Sequence, residues 1–247
     1  MNYQQSMFTR MVQPLLEGFA WGKGAMNAEG ETSTSDLDKF AETHLTADLA
    51  RDLAELNLLQ GGIEFINKVD AFVDRYKIFE PIREFLIDLA LLQVLDHGSE
   101  DPDFLESRGW LEVEDATEDR GTELLNLLVY LRDSVENEVT PDLGDFLFEF
   151  LLVDEDEHQD EYFIYEPIIR YREMVEGKVE EIVKVGNEQK EDMEELFTPL
   201  MVFFTRAEKE PGRMTQAILN GSNIADVHGG IYRLLCSVRR ILEKENA

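Results

Sequence analysis

The stretch VTPDLGDFLFEFLLVDEDEHQDEYFIYEPIIRYREM, residues 139–174, constrains the fold more than any other. The Thr140 hydroxyl can cap a helix, and Pro141 suits a first helical position, where the missing N–H costs nothing. Beyond them Leu143, Phe146, Leu147, Phe150 and Leu151 recur at helical spacing along one face. Phe148, Leu152 and Val153 make the other faces apolar, so the spacing predicts a helix enclosed on most sides and ending near Val153. The acidic run Asp154, Glu155, Asp156, Glu157, His158, Gln159, Asp160, Glu161 follows at once. Carboxylates oppose the negative end of a helix dipole, so the run calls for a helix stop or for a compensating cation or basic partner. Tyr162, Phe163, Ile164 and Tyr165 return the chain to a core, and Glu166-Pro167 restarts a helix.

Helical periodicity recurs along the rest of the chain. Met7, Met11, Leu15 and Phe19 repeat every four residues, with a bend or restart at Pro14. Residues 22–35 read as a polar loop, and Ser35 with Asp38 forms a capping box for a helix running from Leu37 to a stop at Gly61-Gly62. Ile63 to Tyr76 is the next helix; Pro81 opens another, apolar on several sides and therefore central, which Gly98 ends. Residues 99–115 read as irregular, with Trp110-Leu111-Glu112-Val113 as one short extended piece that has no partner to make a sheet. Leu124 to Val135 is a helix, residues after Tyr171 form a charged region up to Gly186-Asn187, and Met193 to Phe204 is a helix kinked at Pro199. Glu210-Pro211-Gly212 reads as a turn, Met214 to Leu219 as a short helix, and Ser222 or Asn223 as the cap of a last helix through Leu242. The expected fold is all-α, an irregular multi-helix bundle of roughly nine or ten helices with little or no sheet. It is expected as a single all-helical domain over 1–247, any subdivision falling near 99–116.

Charge narrows the function classes. Asp and Glu number 53 against 23 Lys and Arg, a net charge of −30. Such a surface repels nucleic acid and anionic membranes and favours cations or basic proteins. The last helix is the basic exception, with Arg233, Arg239, Arg240 and Lys244; it can dock on acidic segments of its own chain or of a second subunit, or simply complement its own dipole. No run is long enough to span a bilayer, and MNYQQSMFTRMVQ lacks the apolar region of a signal peptide. Cys236 is the sole cysteine, which excludes an internal disulfide and points to a reducing, cytoplasmic setting; its apolar neighbours predict a buried, inert thiol.

Motifs for chemistry are sparse. Asp154, Asp156, His158 and Asp160 alternate as calcium ligands do, but Gln159 and Tyr165 stand where an EF-hand needs Gly and Glu. Glu155 and His158 have the spacing of a helical di-iron ligand pair, without the second Glu-x-x-His such a site requires. Ser222, Asp226 and His228 supply the residue types of a triad, yet within one short segment where they are not expected to converge, and Ser222 reads as a helix cap. Phosphate loops, paired Cys-x-x-Cys, His-Glu-x-x-His and G-x-S-x-G are absent. Phe79-Glu80-Pro81-Ile82, Tyr165-Glu166-Pro167-Ile168 and Phe197-Thr198-Pro199-Leu200 share one order of residue types; their uneven spacing argues against a solenoid.

Residues 140–150, TPDLGDFLFEF, resemble the Pro-Asp-His segment and following Leu-Glu-Phe-type helix of TorD-like chaperones for molybdoenzyme maturation, with Leu143 in place of the histidine. The resemblance covers about a dozen residues. It implies an all-helical cytoplasmic protein that binds twin-arginine signal peptides. Three functions are therefore carried forward. The first is a non-catalytic intracellular protein that binds a basic partner, with Asp154, Glu155, Asp156, Glu157, His158, Asp160 and Glu161 as the contact, no cofactor, and a homodimer allowed. The second is the TorD-like chaperone. The third is a metal-dependent enzyme built on the same acidic run.

Overall fold

The computed structural model describes residues 11–12, 14–16, 18–19, 62–98, 103–117, 123–151, 164–190, 192–205 and 211–245. Every regular element among them is helical and none is a strand, so the fold is all-α. The expected helix from Leu37 and the loop at 22–35 lie outside the described residues. The chain gathers into two compact units, 62–126 in one and 14–19 with 127–245 in the other.

The first unit starts with α1, Gly62–Arg75, which buries Phe65, Ile66, Val69, Phe72 and Val73 along one stripe. Gly62 thus opens this helix rather than ending the one before. A 3₁₀ turn, Lys77–Ile82, follows, and α2 runs Arg83–Gly98. Pro81 was expected to open that helix, but it sits inside the turn. The Arg83 N–H bonds the Glu80 carbonyl, an i→i+3 bond, and α-helical pairing begins only afterwards. The Arg83 guanidinium reinforces the corner, 2.8 Å from Asp70, 2.7 Å from Asp74 and 2.9 Å from Glu80. Glu80 and then Asp74 hold it further toward the charged form. As its all-round apolar pattern predicts, α2 is central: every residue from Phe85 to Val94 is buried.

The extended piece expected at 110–113 is instead part of a helix, α3, Arg108–Thr117. The Ser107 Oγ accepts the Trp110 N–H at 3.2 Å and its carbonyl accepts the Leu111 N–H, capping the first turn. Val113 and Thr117, one helical turn apart, are the buried pair, and Val113 packs against Gly62 of α1. The boundary between the units falls within α4, Glu123–Glu136.

In the second unit α4 ends in a left-handed residue, Glu138 (φ 57°). The Val139 N–H reaches the Ser134 carbonyl and the Glu138 N–H reaches that of Val135, a Schellman closure without the usual glycine. The focal helix departs from expectation in start and geometry. Thr140 and Pro141 precede it; Asp142 caps it, its Oδ1 accepting the Gly144 N–H at 2.8 Å, and residues 145–150 form a π-helical turn, Asp145–Phe150. The reason is tertiary. The Tyr130 hydroxyl accepts the Asp142 N–H at 2.9 Å and donates to the Asp142 carbonyl at 3.0 Å, which fixes the start at that residue. Leu143, Phe146, Leu147 and Leu151 are buried, Asp145 and Glu149 exposed, and Phe148 and Phe150 half-buried, so over the described residues the enclosure is one-sided; Leu152 and Val153 lie outside them. Tyr130, Tyr165 and Phe204 surround the Phe146 ring at centroid distances of 5.3, 5.9 and 6.2 Å. Tyr165 thus returns to the core as expected; Tyr162 and Phe163 lie outside the described residues.

The short α5, Glu166–Arg170, carries Pro167 in its first turn, as predicted, and a 3₁₀ turn, Arg172–Glu176, follows. What was read as a charged region contains α6, Val179–Gly186, with Val179, Ile182, Val183 and Gly186 on its buried face. Helix α7, Asp192–Phe203, contains Pro199. Helix α8 spans Pro211–Gly221, so Pro211 is a first helical residue and not the centre of a turn. The unit is completed by α9, Ala225–Glu245, packed against α7 and α8. Its Gly229-Gly230 pair meets the helical residues 14–16 and 18–19: a Cβ on Gly18 would fall 2.7 Å from the Gly229 carbonyl oxygen and 2.8 Å from the Gly230 Cα. Two backbones touch there.

Candidate functional site

The residues expected to form a contact or metal site, Asp154, Glu155, Asp156, Glu157, His158, Asp160 and Glu161, all lie outside the described residues. What the structure does place is the segment leading into them. Asp142, Leu143, Gly144, Leu147 and Phe148 form one wall of a cleft of about 480 Å³, and Arg172, Glu173, Val175 and Glu176 form the other. Both walls are anchored from behind. Tyr130 holds Asp142 by its backbone, and the Thr205 hydroxyl donates to the Val175 carbonyl at 2.8 Å.

The floor is apolar, with Leu143, Leu147 and Val175 buried. Phe148 is half-buried and offers a ring face, over which the Arg172 guanidinium sits 5.4 Å from the centroid. Carboxylates of Asp142, Glu173 and Glu176 edge the cleft against that one guanidinium. The lining has no hydroxyl, thiol or imidazole; its ionisable groups are the three carboxylates and the guanidinium, which can grip a chain by charge beside the apolar contacts. The π-helical turn forms part of this wall, and such turns are rare and frequently fall at functional sites. Neither wall was among the expected site residues: the first lies in the segment that carries the TorD-like resemblance, and the second offers only Met174 and Val175 as apolar signals between Arg172 and Glu176.

Two other groups had been weighed. Ser222 and His228 were not expected to converge, yet the Ser222 Oγ lies 2.7 Å from His228 Nδ1. The other ring nitrogen, Nε2, is 2.8 Å from the Glu194 carbonyl, which can only accept, so Nε2 carries the proton and the serine hydroxyl donates to Nδ1. Burial pushes the imidazole down to about 4, and the ring is 1% exposed. No substrate reaches it. The Ser222 Oγ also accepts the Ile224 N–H at 3.1 Å, closing the turn before α9. The helix begins at Ala225 and the Ile224 carbonyl accepts the His228 N–H, so Ser222 does not cap it as the sequence suggests. The Cys236 thiol is pushed up by burial, against the pull of Tyr232 and three arginines, in line with an inert side chain.

Among the described residues no three His, Cys, Asp or Glu side chains come together as a metal site would need. No described helix is long and apolar enough to cross a membrane. No known protein family, curated protein or solved structure matches the chain.

Proposed function

We propose that the chain is a non-catalytic intracellular protein that binds a basic protein partner, and that the cleft between 142–148 and 172–176 receives an extended segment of it, apolar side chains inward and cations at the rim. The observation that carries this reading is the pairing of an apolar floor with an acidic edge. The net charge of −30 favours the same partner over nucleic acid.

A TorD-like chaperone is the second reading, favoured by one observation: the residues that carry that resemblance are those of the first wall. A twin-arginine leader joins a basic pair to an apolar stretch, the composition the cleft suits. Titration of the full chain with a labelled Arg-Arg-apolar peptide, its Lys-Lys counterpart and a Glu-Glu counterpart tests both readings. Binding of the two basic peptides, weakening with salt, supports a basic partner; a marked preference for Arg over Lys supports the leader, because guanidinium pairs bidentately with carboxylates. Equal binding of the Glu-Glu peptide would defeat both.

A further inference from the structure

Residues 103–117 take no part in the cleft. A 3₁₀ turn, Phe104–Glu106, leads into α3, and the Phe104 and Trp110 rings lie 5.5 Å apart, folding the turn against the start of the helix. Helix α3 spends only Val113 and Thr117 on the core. Leu111 on this helix is 49% exposed and Leu105, in the turn before it, 59%, with Phe104 and Trp110 half-buried beside them in sequence. Among the described residues Val139 is the one other large apolar side chain so exposed. Exposed apolar side chains concentrated on one short segment mark an interaction surface more often than scattered ones do.

The charge on this segment selects the occupant. Asp103, Glu106, Glu112, Glu114 and Asp115 are all exposed, and the one cation, Arg108, is 2.8 Å from Glu112. We propose that this face docks a basic amphipathic helix of another protein, whose apolar stripe covers Leu105, Trp110 and Leu111 and whose flanking Lys and Arg meet the carboxylates. A second copy meeting this face with its own would set acidic face against acidic face. Its basic last helix, α9, spends its apolar side, with Ile231, Leu234, Leu235 and Val238, on its own core. Strand addition has no edge to use, since the described residues hold no strand. The inference stands apart from the cleft reading and uses none of its residues.

The test is fluorescence anisotropy of a labelled Leu/Lys amphipathic helix, and of the same composition scrambled, with the full chain at about 0.3 M salt, where the Debye length of roughly 5–6 Å suppresses diffuse attraction. The amphipathic peptide should bind at least about tenfold more tightly than the scramble. Leu105→Ser with Leu111→Ser should weaken it about tenfold or more, as should Glu112→Lys with Asp115→Lys, which leaves the apolar residues intact. Glu173→Gln with Glu176→Gln in the cleft should leave it unchanged. Circular dichroism verifies that each variant keeps its helices, and the charge variant decides if the serine variant does not fold. Equal affinity for the scramble, or indifference to both surface variants, would overturn the proposal. So would sedimentation showing that the face is already covered by a second copy.

Discussion

His228 is where a single side chain most clearly controls stability. Folded, it is neutral with a pKa pushed down to about 4; unfolded, it titrates at its ordinary value near 6.5. Between those values the unfolded chain binds the extra proton, so this contribution is complete above about pH 6.5 and falls as pH drops toward 4. The size is about 3 kcal/mol across the window, from a shift of about 2.5 units. Denaturant unfolding at pH 7 and at pH 4.5 should show His228→Gln losing distinctly less stability on acidification than the parent chain; identical losses would mean the imidazole is not held neutral. The Ser222 hydroxyl bond to the Ile224 amide needs only local geometry, but it closes a turn ahead of α9 and does not cap the helix. Its bond to His228 was not legible, since the ring is turned by the Glu194 carbonyl of another helix.

At the scale of elements, the tightest backbone-to-backbone approach at a described glycine is that of Gly18 with Gly229 and Gly230. A methyl group there meets backbone rather than a flexible side-chain end. Gly18→Ala should therefore destabilise by about 1–3 kcal/mol, against the small gain alanine brings to an open helix. Thermal melts compare it with Gly212→Ala, where a Cβ meets nothing within 4 Å and stability should hold or rise. Elements with long apolar stripes, α1, α2, α4, α7 and α9, were legible in the sequence. Those that were not have physical reasons. Helix α3 rests on two buried residues, and Trp-Leu-Glu-Val mimics an alternating strand. Helix α6 is short, and its apolar residues, though at helical spacing on one face, are separated in sequence by the exposed Glu180, Glu181 and Lys184 within a charged stretch. The cap moved from Thr140 to Asp142 because Tyr130, from the preceding helix, pairs both backbone groups of Asp142.

For the whole molecule, charge dominates. A net charge of −30 makes each fold unit repel itself, and salt relieves that repulsion while weakening local pairs such as those around Arg83. Because 53 acidic side chains face only 23 basic ones, relief should win. Raising NaCl from about 0.05 to 1 M should raise Tm, by about 2–4 °C for each kcal/mol of repulsion removed; a fall in Tm would show that the ion pairs outweigh the net charge. The cleft itself was half legible. Its first wall stands out as an apolar run, whereas its second, around Val175, becomes apolar surface only through the 3₁₀ turn and the Thr205 hydrogen bond that hold it there.

The central claim is that this cleft is where a basic, apolar segment binds, and amide hydrogen exchange tests it most directly. The full chain would be exchanged with and without a saturating Arg-Arg-apolar peptide. The account expects slowed exchange at 143–151 and 172–177 together, reduced in the Glu173→Gln, Glu176→Gln variant. Protection confined to other segments, with both walls exchanging as in the unbound chain, would contradict it.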